Sequence, residues 1–198
     1  MGTDIELYAE RLEKGRWCPV TEPAPNAKGK ILPVEFGDVL GRTYEFFSVL
    51  AGESISSVCR NDVVPSVSPP RGFPDDMSKL YNDLLPLWYE EVSGFNTSWL
   101  MVRELVDFDW DTLKVLSYGY VEKEYAHLFN ADQDFPAELP KDTKIYHGLY
   151  CPPPDTTVKV CWSIGLRCYT GNAVDWLLQD LLPLGPPDEV RIIYWFWA

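Results

Sequence analysis

Two carboxylates close to the amino terminus, Asp4 and Glu6, have the spacing of groups that act together. In a strand, side chains two residues apart point to the same face and lie about 7 Å apart. At that separation both carboxylates can bind one hard cation, or they can divide the roles of general acid and base. The alternative is that both only decorate a solvated face of the strand.

Arginines are the other notable groups, because the chain is acidic: Arg42, Arg71 and Arg103. Arg71 lies in a Pro-Pro-Arg-Gly turn, where a rigid backbone can hold the guanidinium toward a phosphate or a carboxylate. The alternative is a structural salt bridge from Arg71 to Asp75 or Asp76. A nucleotide-binding site requires Arg42 and Arg71 to converge.

The candidate ligand-binding set joins these charges to two aromatic residues. It consists of Asp4, Glu6, Arg42, Tyr44, Arg71, Asp75 and Trp99. For Trp99 the alternative is a place in the hydrophobic core. The sequence contains no phosphate-binding G-x-x-x-x-G-K-S/T, no G-x-G-x-x-G, no H-E-x-x-H and no G-x-S-x-G. We therefore predict no metal ligand set and no particular cofactor, and leave open whether the chain is an enzyme.

Composition limits the classes of partner. The net charge is -13, from 30 acidic and 17 basic residues, and such a surface repels nucleic acid phosphates and anionic membranes. The charge either keeps the protein soluble or lets an acidic face imitate nucleic acid in the basic groove of a partner protein. We expect a protein partner or a small anionic ligand, without generic nucleic acid binding and without a membrane.

The five cysteines, Cys18, Cys59, Cys151, Cys161 and Cys168, are odd in number and contain no C-x-x-C pair. We therefore expect neither disulfides nor a zinc site of the usual spacing. The first ten residues are charged and alternate like a strand rather than a signal peptide, and no apolar run approaches the length that spans a bilayer. These features predict a cytoplasmic protein.

The elements that position the candidate residues follow from periodicity. Residues 4–10 alternate between apolar and polar, which predicts a strand with one buried face. Residues 16–20 are predicted to return as the second strand of a hairpin, and residues 21–33 to form an exposed connection. Apolar residues at helical spacing predict a short helix over 41–50.

The middle of the chain is predicted as helices separated by loops. Residues 52–74 are rich in Pro and predict a loop, after which Asp75 is the expected N-cap of a helix that Pro86 kinks or ends. One of residues 96–98 is expected to cap the next helix. That helix would turn four apolar side chains inward: Leu100, Met101, Leu105 and Val106.

The last part of the chain predicts the fold class. A further helix is expected over 111–116, and residues 117–155 are expected to form a peripheral, loop-rich insertion. Residues 158–166 alternate as a half-buried strand, 172–182 have helical periodicity, and 190–197 form an almost wholly apolar strand covered on both faces. We predict a single α+β domain spanning the whole chain, with a mixed β-sheet and helices packed on it.

Five segments, taken in order, resemble a family of uncharacterised proteins common in bacteriophages and some bacteria. Residues 1–5, 41–47 and 70–78 are similar to its M-G-x-D-I-H start, its G-R-x-Y-x-L-F segment and its P-R-G-L-P-D-D-x-S loop. Residues 98–105 resemble its S-W-L-x-x-x-E-L helix, and residues 190–196 its V-R-x-x-F-W-F ending. The resemblance implies a phage, prophage or host-acquired origin and no established activity.

The departures from that pattern concern possible catalytic groups. Glu6 stands where family members usually carry His, and residues 94–97 replace a segment that often contains His and Ser. The two histidines of this chain, His127 and His147, lie in the predicted insertion. We therefore hypothesise a non-catalytic, phage-type binding protein acting on a host or defence component, with a protein partner or a small nucleotide-like ligand. The alternative is a small hydrolase or transferase with an acidic-plus-arginine site, with or without a divalent cation.

Overall fold

A computed structural model of the chain describes residues 2–24, 30–53, 64–147 and 152–198. The described strands are β1 (Asp4–Glu13), β2 (Arg16–Pro19), β3 (Thr21–Pro23), β4 (Ile31–Pro33), β5 (Phe95–Met101), β6 (Lys114–Glu122), β7 (Thr157–Gly165) and β8 (Val190–Trp197). The described α-helices are α1 (Tyr44–Ala51), α2 (Lys79–Glu91), α3 (Val102–Asp107), α4 (Leu166–Thr170) and α5 (Ala173–Leu181). The predicted α+β fold is confirmed.

The main sheet has four strands in the order β2-β1-β8-β5. Its pairings are antiparallel, and in the described ranges a parallel contact occurs only as an isolated bridge between Asp134 and Ser163. Strand β8 lies between β1 and β5, and all its residues except Trp197 are buried. The prediction that this segment is covered on both faces is confirmed.

The two faces of the main sheet pack against different helices. On one face, Ile192, Tyr194 and Phe196 join the largest core, to which α1, α3, α4 and α5 contribute. On the other face, Ile193 and Trp195 pack with α2. Because α2 covers this second face, Tyr8 and Glu10 of β1 are also buried. The expectation of a single buried face for residues 4–10 is therefore wrong.

Strand β5 replaces the helix start that was expected at residues 96–98. Trp99 and Leu100 pair with Ile193 and Ile192 of β8, and only Val102–Asp107 is helical. The helix prediction for Leu100 and Met101 was wrong because a buried central strand needs hydrogen-bonding partners on both sides, and this tertiary demand outweighs helical spacing. Val106, expected to point inward, is exposed.

Strand β6 takes the place of the helix expected over 111–116. It pairs with β7 along its whole length, in an antiparallel ribbon that carries a small core of Val121, Val160 and Trp162. The β-branched and aromatic residues of this segment suit a strand, and the pairing with β7 decides the outcome. The predicted insertion over 117–155 thus begins inside β6 and continues through a 3-10 turn at Lys123–Leu128. The boundaries of this insertion stay a prediction.

Helix α2 begins later than expected. Ser78, not Asp75, occupies the N-cap position, because Asp76 is bound by Arg191 and holds the preceding segment outside the helix. Pro86 lies inside α2, so of the two predicted outcomes the helix does not end at this residue, and a kink there stays a prediction. The helix continues past Pro86 to Glu91, and Trp88 in this last part packs against Tyr8 of the sheet.

The other described elements agree with the sequence. The β1–β2 hairpin, α1, β7 and α5 are confirmed, and the expected connection over 21–33 includes the short β3–β4 pair. Parts of that connection and of the 52–74 loop, with Cys59 and Cys151, lie outside the described residues. In the described ranges no helix combines the length and apolar character needed to cross a membrane.

Candidate functional site

A cleft opens where β1 begins, and it contains three of the candidate residues. Its volume is about 450 Å³, and its walls come from the start of β1, the segment between β4 and α1, and Trp197 at the end of β8. The charged residues that line it are Asp4, Glu6, Glu35, Asp38 and Arg42. We call this site the acidic cleft.

Asp4 and Arg42 form a two-pronged ion pair at the rim. The Arg42 Nε atom donates to Oδ1 of Asp4 at 2.8 Å, and its second terminal nitrogen donates to Oδ2 at 2.9 Å. These hydrogen bonds hold the pKa of Asp4 below its usual value, although partial burial opposes the shift. The Arg42 side chain is 57% exposed, so solvent weakens the pair.

Glu6 is engaged by the neighbouring tyrosine on the same face of β1. The Tyr8 hydroxyl donates to Oε2 of Glu6 at 2.6 Å. Burial raises the pKa of Tyr8 well above its usual value, and the Glu6 carboxylate raises it further. Tyr8 therefore stays protonated and serves as a fixed donor that orients Glu6.

Glu35 shapes the floor of the acidic cleft, and sequence reasoning missed it. Its carboxylate accepts the backbone N–H groups of Leu7 at 3.0 Å, Gly37 at 2.5 Å and Asp38 at 3.0 Å. Burial raises the pKa of Glu35, and the three N–H donors oppose that shift. By accepting the Leu7 N–H, the Glu35 side chain provides a hydrogen-bond partner for the part of β1 that β2 does not pair with. The available signal was an acidic residue two positions before the glycine of a turn.

Negative charge predominates in the acidic cleft, since four carboxylates face one guanidinium that Asp4 already binds. Nevertheless, no group of three or more His, Cys, Asp or Glu side chains in the described ranges is arranged to hold a metal ion. Asp4 and Glu6 share the cleft as their spacing predicted, but their contacts are with Arg42 and Tyr8.

Arg71 lies at another place on the sheet. Its guanidinium donates to both carboxylate oxygens of Glu104, one of them at 2.8 Å, and lies 4.7 Å from the centre of the Trp99 ring. The structural salt bridge considered for Arg71 is therefore present, but its partner is Glu104 rather than Asp75 or Asp76. The turn at Gly72 follows the edge of β5, where the Gly72 N–H donates to the Thr97 carbonyl.

The distance between the two arginine sites follows from the strand register. Asp4 pairs with Trp197, whereas Trp99 pairs with Ile193 on the opposite side of β8. The backbone positions of Asp4 and Trp99 are therefore offset by four residues along β8 and by two strand spacings across the sheet. This offset corresponds to a distance of about 16 Å. The nucleotide-binding hypothesis requires Arg42 and Arg71 to converge on one site. With their partners this far apart, the two arginines do not converge.

The remaining candidates lie apart from the acidic cleft or behind it. Tyr44 is half-buried, packs edge-on against Phe47 and approaches the backbone of Gly2. Trp99 is half-buried on the face that α2 covers, and Asp75 is exposed.

A second group of charges, also missed by sequence reasoning, lies at the other end of β1. Arg191 is 2% exposed, and its guanidinium donates to Oε2 of Glu10 at 2.9 and 2.6 Å and to Asp76 at 2.6 Å. It also stacks on Trp17, 4.1 Å from the ring centre. We call Arg191 and Glu10 the buried ion pair; Asp76, whose side chain is largely exposed, connects Arg191 to the surface. The available signal was a lone charge inside the apolar β8 sequence, because a buried charge needs a partner.

In comparisons with known proteins, no family model matches the chain, and no curated protein and no solved structure matches it.

Proposed function

We propose that the chain is a non-catalytic binding protein of the phage type, which acts in the cytoplasm on a host or defence component. We further propose that its ligand is a basic segment of a partner protein, bound in the acidic cleft. The observation that carries this proposal is the cleft itself, an open volume of about 450 Å³ in which four carboxylates face one guanidinium. The five resembling segments support the phage-type origin.

The charge of the acidic cleft distinguishes between the two ligand classes. Lys and Arg side chains carry the charge that the carboxylates of Glu6 and Asp38 attract, and the cleft offers them a volume of about 450 Å³. A nucleotide-like ligand would bring phosphates toward the same carboxylates and be repelled. A protein partner is therefore the better supported ligand at this site.

The alternative hydrolase or transferase has less support. It requires Asp4, Arg42 and Arg71 around one substrate, whereas Arg71 binds Glu104 elsewhere on the sheet. Within the acidic cleft, Asp4 is bound by Arg42, and Glu6 accepts from Tyr8. These contacts favour a site that holds charge over one that transfers protons.

The test is binding of a short arginine-rich peptide, measured by fluorescence anisotropy at low and high salt. We expect the double variant Glu6→Gln/Asp38→Asn to bind about tenfold more weakly, because it removes two of the attracting charges. The matched control is Asp132→Asn/Glu138→Gln, which removes two exposed carboxylates outside the cleft. An equal loss in both double variants would mean that only net charge matters, and the proposal would fail.

A second measurement names the partner. Native mass spectrometry after incubation in a bacterial lysate should show a protein retained by the wild type and by the control variant, but lost from Glu6→Gln/Asp38→Asn. Retention of the same protein by all three would place its binding site outside the acidic cleft and contradict the proposal.

A further inference from the structure

A second cavity, independent of the acidic cleft, opens between the β1–β2 turn and the start of α2. Its volume is about 510 Å³, and it is lined by Arg16, Trp17, Asp76, Ser78 and Lys79 among others. Two of these residues are cationic, in contrast to the predominantly acidic lining of the cleft. The surroundings of the Ser78 hydroxyl show what this cavity is built to bind.

Ser78 occupies the N-cap position of α2, a helix of 13 residues, and it is 8% exposed. Its buried hydroxyl has no hydrogen-bond partner among the described residues, and it does not cap the helix. Leaving a buried hydroxyl without a partner costs free energy, so such groups normally have one. Ser78 lines the cavity while its hydroxyl oxygen is closed off from solvent, so a ligand there would supply the missing partner after a rotation of the side chain.

The start of α2 adds further unoccupied donors. The first N–H groups of any helix have no partner within the helix, and here neither a side-chain cap nor an acidic residue in the first turn compensates them. Lys79 is the first residue of α2, and Arg16, which lines the same cavity, is exposed. The groups that face the cavity without a strong acceptor are therefore donors or cations.

The acidic groups nearby are already occupied. The Asp76 carboxylate accepts from Arg191 at 2.6 Å and from the Trp17 indole at 3.0 Å. Glu10 accepts from Arg191 and from the backbone N–H of Ser78, the latter at 2.7 Å. Lys79 contacts Asp83, but both side chains are largely exposed, and a ligand can compete with such a pair.

We propose that this cavity binds a phosphate group, either free or carried by a small organic molecule. The Ser78 hydroxyl, the first-turn N–H groups of α2 and the Arg16 guanidinium would donate to its oxygens, as is usual for anions at helix N-termini. An organic substituent on the phosphate would lie against the Trp17 indole, which lines the same cavity.

The test is titration with inorganic phosphate at constant ionic strength, followed by amide and indole NMR signals. We expect saturable shifts centred on Ser78, Lys79 and the Trp17 indole. Ser78→Ala and Arg16→Gln should each weaken binding about tenfold, because each removes one hydrogen-bond donor to the anion. The control is Arg11→Gln on the same hairpin, since Arg11 pairs with Glu13 outside the cavity lining; its affinity should be unchanged.

A second titration, with adenosine monophosphate, distinguishes the two sources of the phosphate. Tighter binding than that of inorganic phosphate supports the site and assigns it to an organic phosphate. Equal affinity supports the site and assigns it to the phosphate alone. No saturable binding of either compound up to about 10 mM would overturn the proposal, and so would an equal loss of affinity in Arg11→Gln.

The stability of Ser78→Ala separates a ligand role from a structural one. Because the hydroxyl makes no hydrogen bond in the fold, its removal should leave the urea midpoint unchanged or raise it. A clear loss of stability would mean that the hydroxyl caps α2 in solution, and the proposed site would lose its central donor.

Discussion

Both ends of β1 carry a carboxylate paired with an arginine on the same face of the strand, and the two pairs differ mainly in their access to water. At the start, Asp4 binds Arg42 at 2.8 and 2.9 Å, and the arginine is 57% exposed. Near the other end, Glu10 binds Arg191 at 2.9 and 2.6 Å, and these side chains are 0% and 2% exposed. The hydrogen-bond distances in the two pairs are alike, but the loss of the buried pair should change the free energy of unfolding far more.

This difference in exposure distinguishes an arginine that stabilises the fold, Arg191, from one that is available to a ligand, Arg42. Water solvates either partner of an exposed pair when the pair opens, so Arg42 can leave Asp4 at little cost. A buried charge has no such substitute, so Arg191 must keep Glu10 whenever the protein is folded. Burial, more than hydrogen-bond geometry, therefore separates the structural pair from the exchangeable one.

The largest expected effect tests the buried end. Arg191→Met should lower the free energy of unfolding by about 3–5 kcal/mol, because it leaves the Glu10 carboxylate buried without its partner. Urea denaturation measures the loss. Arg103→Met is the control, since the Arg103 side chain is partly exposed and its partners Asp188 and Asp107 are solvated at the surface; its midpoint should hardly move.

The double variant Arg191→Met/Glu10→Leu sharpens the same point. Removing both charges together should recover most of the stability lost in Arg191→Met, since an apolar pair needs no desolvation of charge. If the double variant were as unstable as the single one, then packing of the guanidinium between Trp17 and Trp99, rather than the unpaired carboxylate, would explain the loss.

A smaller effect is expected from the tyrosine that ties α2 to the same part of β1. The Tyr81 hydroxyl contacts the carbonyl oxygens of Ala9 at 3.0 Å and Val20 at 2.9 Å in a buried setting. Tyr81→Phe should cost about 1 kcal/mol in the free energy of unfolding, the usual net value of one neutral hydrogen bond. A loss as large as that of Arg191→Met would contradict the view that the charges dominate this end of the strand.

The next prediction contrasts two carboxylates of the acidic cleft through pH. Burial raises the pKa of Glu35 above 4.5, so the folded state binds the Glu35 proton more tightly than the unfolded state does. The stability that this proton contributes is therefore full below pH 4.5 and is lost as the pH rises through the raised pKa. The pKa of Asp4 is lowered, so its contribution is present above the unfolded value and is lost as pH falls through the folded pKa. Urea midpoints of Glu35→Gln and Asp4→Asn across the acidic range should reveal these opposite slopes. Slopes of the same sign would show that burial does not govern Glu35.

The sequence predicts local patterns better than it predicts partners. The strand at residues 4–10 follows from the alternation of apolar and polar residues, although that alternation does not show that its second face is also buried. The strand at residues 190–197 follows from its almost wholly apolar sequence, which reports burial on both faces. The strand at Phe95–Met101 does not follow from its own sequence, since it is fixed by pairing with β8. For the same reason Asp4 and Glu6 could be placed on one face, whereas the partners of Arg71 and Arg191 come from segments distant in the chain.

The smallest expected effect on stability belongs to the exposed end. Arg42→Gln should lower the urea midpoint at neutral pH by only a small fraction of the shift expected for Arg191→Met, because an exposed pair contributes little and Asp4 is solvated once its partner is gone. The same substitution removes the positive charge of Arg42, the sole cation among the described residues that line the acidic cleft. An arginine-rich peptide should therefore bind about threefold more tightly at low salt and no differently at high salt. A stability loss comparable to that of Arg191→Met would break the comparison between the two ends of β1. Unchanged peptide affinity at low salt would mean that the cleft does not attract its ligand by charge, whatever the stability of the variant.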